Sequence, residues 1–194
     1  MQQEQTTGCS CLLIKVKRKY PLTDSKDTAI LIGIYRKGEG CMQDIVVKKL
    51  IEKGFHISFA ESCTGGLAAA TLVGVADASK VLDVSFVTYA NEAKIRYLDV
   101  SRDAIAQYGV VSEEVACQMA AGVARQAASQ VGVGITGIAG PTGGTATKPV
   151  GMVCFGFAIN GRVHTFTQQY GELGRNEVRQ KSVEFVFEKL NELL

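Results

Sequence analysis

From Met42 onward the pattern of apolar and polar positions switches repeatedly between helical and strand-like pieces. Ile45, Val46, Leu50 and Ile51 fall on one face of a helix that Gly54 ends. Residues 55–60 read as a short buried strand, and Glu61-Ser62-Cys63-Thr64-Gly65-Gly66 as a tight turn into the small-residue helix Leu67–Val73. Residues 84–89, rich in β-branched and aromatic side chains, predict a second strand. Asn91 is placed to cap a helix containing Lys94, Ile95 and Leu98, and a shorter helix covers roughly Arg102–Tyr108. Ser112 fits an N-cap, with Glu113 and Glu114 at the positive end of a helix that runs to about Ser129, where alanine-rich spacing permits close packing. Residues 131–136 predict a third strand, followed by a Gly/Thr/Pro-rich loop over 137–149. Residues 150–159 and 162–170 flank Asn160-Gly161, a strong type I′ hairpin signal, and residues 176–194 form a final amphipathic helix. Strands separated by helices, with one C-terminal β-hairpin, predict an α/β fold: a three-layer α/β/α sandwich around a mixed sheet.

Residues 1–41 do not share this organisation. They are short polar or basic pieces with no sustained period, and they are expected to be a non-core extension of a domain spanning 42–194. Lys37-Gly38-Glu39-Gly40 can be encoded by a purine-rich run resembling a bacterial ribosome-binding site, a few codons before Met42. The expectation is therefore that translation naturally begins at Met42, the alternative being a genuine flexible arm or targeting segment.

Composition narrows the function classes. Hydrophobic residues make up 46% of the 194, enough for a sizeable core and too many for a disordered chain. The formal charge of +2 is uneven: residues 1–41 carry 7 basic and 4 acidic side chains, and residues 42–194 carry 14 and 15, a net −1. The globular part thus lacks the basic field that drives nucleic-acid binding. Apolar stretches such as residues 29–35 fall far short of the roughly 20 residues of a membrane-spanning helix. Lys15, Lys17, Arg18 and Lys19 follow the short apolar run 11–14 instead of preceding a longer one, which argues against a secretory signal. Of the six cysteines, Cys63, Cys117 and Cys154 read as buried free thiols, and the lone Cys9-x-Cys11 pair has no partner motif for a metal. The expected compartment is the cytoplasm.

Three loops follow the carboxyl ends of the expected strands, where open α/β sheets gather ligands. In the turn 60–66, Ser62 would expose its hydroxyl, and Gly65-Gly66 would let a substrate approach backbone N–H groups that could hold an oxyanion or a phosphate. The same pattern serves equally well as a helix cap with glycines needed for packing. In Thr88-Tyr89-Ala90-Asn91-Glu92-Ala93-Lys94, the lysine lies about one turn into a helix, where the macrodipole favours the neutral amine. A serine hydrolase without a catalytic histidine needs such an amine, and His56 and His164 both sit within strand patterns; otherwise Lys94 is a solvated surface residue. The third loop, Gly137-Ile138-Ala139-Gly140-Pro141-Thr142-Gly143-Gly144-Thr145, could form an anion-binding nest or be a plain flexible loop; without a closing Gly-Lys-Ser/Thr it is no P-loop.

Residues 60–66, residues 87–94, Gly109-Val110-Val111-Ser112-Glu113-Glu114 and the run from Gly137-Ile138-Ala139-Gly140-Pro141 to Lys148-Pro149-Val150-Gly151 together closely resemble the C-terminal domain family of the competence/damage-inducible protein CinA. The resemblance covers about residues 42–194. It implies hydrolysis of nicotinamide mononucleotide to nicotinate mononucleotide and ammonia, with the catalytic Ser, Tyr and Lys at Ser62, Tyr89 and Lys94. Cys63, Thr64, Gly65, Gly66, Asn91, Gly137, Ile138 and Gly140 are the expected substrate-binding positions, with Asn91 orienting the lysine. Ala90 departs from the Ser common in that family, leaving the three catalytic positions intact. No cofactor, metal, nucleic acid or membrane is expected, and the reading is compatible with a homo-oligomer. The larger N-terminal domain of full-length relatives, and any pyrophosphatase activity belonging to it, is expected to be absent. The competing reading is a non-enzymatic ligand-binding or protein-interaction module linked to competence or the DNA-damage response.

Overall fold

A computed structural model describes residues 41–194; the expectations for residues 1–40 lie outside the described residues. The elements run α1 (Met42–Lys53), β1 (Ile57–Glu61), α2 (Leu67–Val73), a 3₁₀ turn (Ala78–Lys80), β2 (Phe86–Val87), α3 (Asn91–Leu98), α4 (Arg102–Tyr108), α5 (Glu113–Ala127), β3 (Val131–Gly137), β4 (Met152–Ile159), β5 (Arg162–Gln169) and α6 (Arg175–Leu193). The sheet order is β2-β1-β3-β4-β5, with β2, β1 and β3 parallel and the β4–β5 hairpin antiparallel. This is the expected mixed α/β sheet, covered by helices on both faces.

Alternation along the strands explains how the layers differ. One face carries bulky residues: Ile57, Phe59, Val133, Ile135, Val153, Phe155 and Phe157 join α1, α2 and α6 in the main core. The other face is nearly bare, with Ser58, Ala60, Gly132, Gly134, Gly156 and Ala158 in the same strands. There α5 lies so close that a Cβ on Gly134 or Gly156 would come within 2.4 or 2.3 Å of the Ala116 carbonyl oxygen. The small sheet face and the alanine-rich helix fit because each removes the side chain that would separate them.

Local signals place most boundaries. Gly54 takes the left-handed conformation that ends α1, Ser101 and Ser112 cap α4 and α5, and Asn160 and Gly161 both have positive φ, as a type I′ turn requires. Three details differ from the sequence pattern. In α1 the inward residues are Val46, Val47 and Leu50, while Ile45 and Ile51 are 36% and 38% exposed. In α3 Asn91 is the first helical residue; Ala90 occupies the cap position and makes no side-chain cap bond. The strand expected over 84–89 shrinks to Phe86–Val87, because after Val87 the chain turns its next carbonyls away from the ladder and toward a lysine.

Candidate active site

Because β1 and β3 are parallel, with Glu61 opposite Ile135, the turn after β1 and the loop after β3 leave the same end of the sheet. The Ser62 amide donates to the Ile135 carbonyl at 3.0 Å, pinning the serine at that end. The β2–α3 connection arrives beside it, since the Thr88 amide donates to the Glu61 carbonyl at 2.9 Å.

Lys94, one turn into α3, sends its side chain back into this junction and is 0% exposed. Its Nζ donates to the carbonyls of Thr88 at 2.7 Å and Tyr89 at 3.2 Å, and its remaining contact is Ser62 Oγ at 3.1 Å. Burial pushes its pKa down to about 8, with Cys63 pulling the other way. A neutral amine has two N–H donors and one lone pair. The two carbonyls can only accept, so they take the two donors and leave the lone pair facing the Ser62 hydroxyl. That arrangement allows the serine proton to pass directly to Lys94.

The other expected residues are placed as follows. Tyr89 is 62% exposed; its carbonyl holds Lys94, while its hydroxyl accepts from Arg175 Nη2 at 3.0 Å. Cys63 is buried beside the serine, and desolvation pushes its thiol up to about 12 against the pull of its own amide, so it stays protonated. Thr64 and Thr88 are buried, and neither hydroxyl has a partner in this structure. Asn91 is exposed on the outer side of α3 and makes no hydrogen bond to Lys94; the Thr88 and Tyr89 carbonyls orient the lysine instead. Gly65 donates to the Ser62 carbonyl and Gly66 to the Glu61 carboxylate, which occupies both amides. Gly137 ends β3, Ile138 donates to Met152, and Gly140 accepts from Arg175 Nη1 at 3.0 Å. The amides of Ala139 and Gly140 donate to no carbonyl among the described residues, which leaves them as candidate oxyanion donors, whereas those of Cys63 and Thr64 face the Cys63 thiol.

Sequence reasoning missed the contribution of α6. Arg175 bridges Tyr89 and Gly140, and Arg179, one turn on, donates through Nη2 to the Thr64 carbonyl at 2.9 Å. Two arginines four apart near the start of a helix, where cations oppose the macrodipole, were a readable signal. Among the described residues, no group of His, Cys, Asp or Glu is arranged to hold a metal ion, and no helix is long and apolar enough to cross a membrane.

The fold is shared with known proteins. A family model described as the CinA C-terminal domain matches residues 40–194. A CinA-like protein of Kosmotoga olearia is 45% identical over 155 residues, 80% of this chain. The chain spans only 37% of that relative's length. Among solved structures, the competence/damage inducible protein CihA from Agrobacterium tumefaciens superposes with a TM-score of 0.76 at 39% identity, over 82% of this chain and 99% of that one. A CinA superfamily protein from Escherichia coli gives 0.76 at 31% identity, over 84% and 98%.

Proposed function

The chain belongs to the CinA C-terminal domain family, and from that premise we propose that it is a nicotinamide-nucleotide amidase, converting nicotinamide mononucleotide to nicotinate mononucleotide and ammonia. One observation carries the reading: a fully buried lysine whose donors are occupied by two carbonyls and whose third contact is a serine hydroxyl. A binding module has no use for a lysine held near neutrality at a hydroxyl, because burying it costs stability and yields only a base.

The reaction follows from these groups. Ser62 Oγ attacks the carboxamide carbon as its proton moves to Lys94 Nζ, and the tetrahedral oxyanion turns to the amides of Ala139 and Gly140. The Lys94 ammonium then protonates the departing nitrogen, releasing ammonia and leaving an acyl-serine. Water, deprotonated by the same amine, attacks that ester and releases the carboxylate. Tyr89 and Arg175 lie on the rim, and the exposed guanidinium provides positive charge suited to an anionic substrate. Incubating the protein with nicotinamide mononucleotide and assaying ammonia tests the proposal. Release that disappears in Ser62→Ala is expected; no release by the native protein would return the chain to the class of binding modules.

A further inference from the structure

Ser62 and Lys94 come from different elements, and one residue outside the pair touches both of their supports. Glu61 is 1% exposed at the end of β1. Its carboxylate reaches forward across the Ser62–Gly65 turn. There Oε2 accepts from the amides of Gly66 at 2.9 Å and Ala68 at 3.1 Å, and Oε1 accepts from Ala69 at 2.9 Å. The start of α2 is thereby satisfied from within the chain, so those amides are not available to a substrate. The main chain of Glu61 faces the other way, where its carbonyl accepts from the amide of Thr88 at 2.9 Å. Thr88 is the residue whose own carbonyl holds Lys94 Nζ at 2.7 Å.

We infer that Glu61 is a positioning residue of the reaction, fixing the nucleophile turn with its side chain while its backbone registers the segment that holds the base. The role rests on the amidase reading of Ser62 and Lys94. A buried carboxylate with three amide donors uses both of its oxygens as acceptors. Gln offers one acceptor oxygen and turns an NH₂ donor toward at least one amide donor, so the turn must shift. A displacement near 1 Å at the reacting atoms costs about 100-fold in rate. Arg179, donating to the Thr64 carbonyl from α6, holds the same turn from outside and cannot replace the lost acceptors.

The test reads Ser62 reactivity directly, without the natural substrate. Diisopropyl fluorophosphate phosphorylates an activated serine: the Ser62 Oγ–P bond forms, the P–F bond breaks, fluoride leaves and the serine proton passes to Lys94. The labelling rate is followed by intact mass from about pH 6 to about pH 10, alongside a thermal melt. For Glu61→Gln the expected result is a plateau rate lower by about 100-fold, with the midpoint near pH 8 unmoved because burial sets the lysine's titration. A folded variant that labels at the native rate, with only its melting temperature lowered, would overturn the inference. So would a shifted midpoint, which would mean that Glu61 acts on the charge of Lys94. If Glu61→Gln fails to melt cooperatively, Glu61→Asp serves. It keeps two acceptor oxygens on a shorter stem, so it should label about 10-fold slower, and a native rate would count against the role. Native protein that labels but releases no ammonia from nicotinamide mononucleotide would defeat the substrate reading alone. Native protein that does not label at Ser62 would defeat both.

Discussion

Lys94 is where burial and chemistry meet, and its titration is measurable in two independent ways. On the proposed mechanism the base form is the neutral amine, so the rate of ammonia release should rise with pH through about 8. Lys94→Arg should be inactive despite its charge, because a guanidinium does not act as a base in this range; appreciable turnover would reduce the lysine to an electrostatic role. The same shift has a stability consequence. Between pH 8 and 10.5 the folded chain binds fewer protons at this site than the unfolded chain, so stability rises with pH across that window. Relative to Lys94→Met, which lacks the group, native protein should gain about 3 kcal/mol between those limits, read by denaturant melts at a series of pH values. At the neighbouring nucleophile turn, Ser62→Ala should abolish ammonia release, whereas Cys63→Ala should keep most of it, since the thiol is held protonated well above the working range. The reverse pattern would mean thiol chemistry. Ser62, Tyr89 and Lys94 stand out in the sequence as candidates because each falls in a recognisable run. The sequence could not expose Thr88 and Tyr89 as holders of the lysine, because they act through carbonyls that every residue has.

Among the elements, α3 shows how close a sequence reading can come while missing by one position. Asn is a good cap former, yet the chain bends one residue earlier and leaves Ala90 at the cap in an extended conformation with no side-chain acceptor. Ala90→Ser should therefore stabilise the protein by about 1 kcal/mol, with the ammonia-release rate unchanged. A lower melting temperature would show that the segment cannot take a side-chain cap. Helix α1 was ambiguous for a different reason. Apolar residues at 45, 46, 47, 50 and 51 define two overlapping faces, and only packing against the main core selects Val46, Val47 and Leu50. The α6 arginines stand 115 and 35 residues from the carbonyls they grip, at Thr64 and Gly140, and nothing local encodes such a partner. Two glycines illustrate how differently elements use one residue type. Gly134→Ala would push a methyl against the α5 backbone at 2.4 Å and should destabilise by about 3 kcal/mol. Gly54→Ala meets nothing within 4 Å and should cost only about 1 kcal/mol, for its left-handed φ. Equal losses at the two sites would contradict the packing account.

For the molecule as a whole, the parallel β2-β1-β3 arrangement gathers the turn after β1, the β2–α3 connection and the loop after β3 at one end of the sheet. The alternation of strand and helix patterns makes a mixed sheet with loops at its strands' carboxyl ends legible in the sequence, but not the strand order. The balance of charge is also a property of this scale. Residues 42–194 carry 14 basic and 15 acidic side chains. A chain starting at Met42 should accordingly give no saturable shift of labelled duplex DNA up to about 100 μM protein at near-physiological salt. Saturable binding would revive the non-catalytic reading.

The bare sheet face beneath α5 bears on how such a protein can change over generations. Gly132, Gly134 and Gly156 leave no room for even a methyl group, each facing a helix carbonyl at 2.2 to 2.4 Å. A lineage retaining this fold would reject substitution at those three sites as firmly as at the proposed nucleophile. Ranking positions by invariance would then place glycines that touch no substrate beside Ser62 and Lys94. Only their distance from the reacting atoms tells inherited architecture from inherited chemistry.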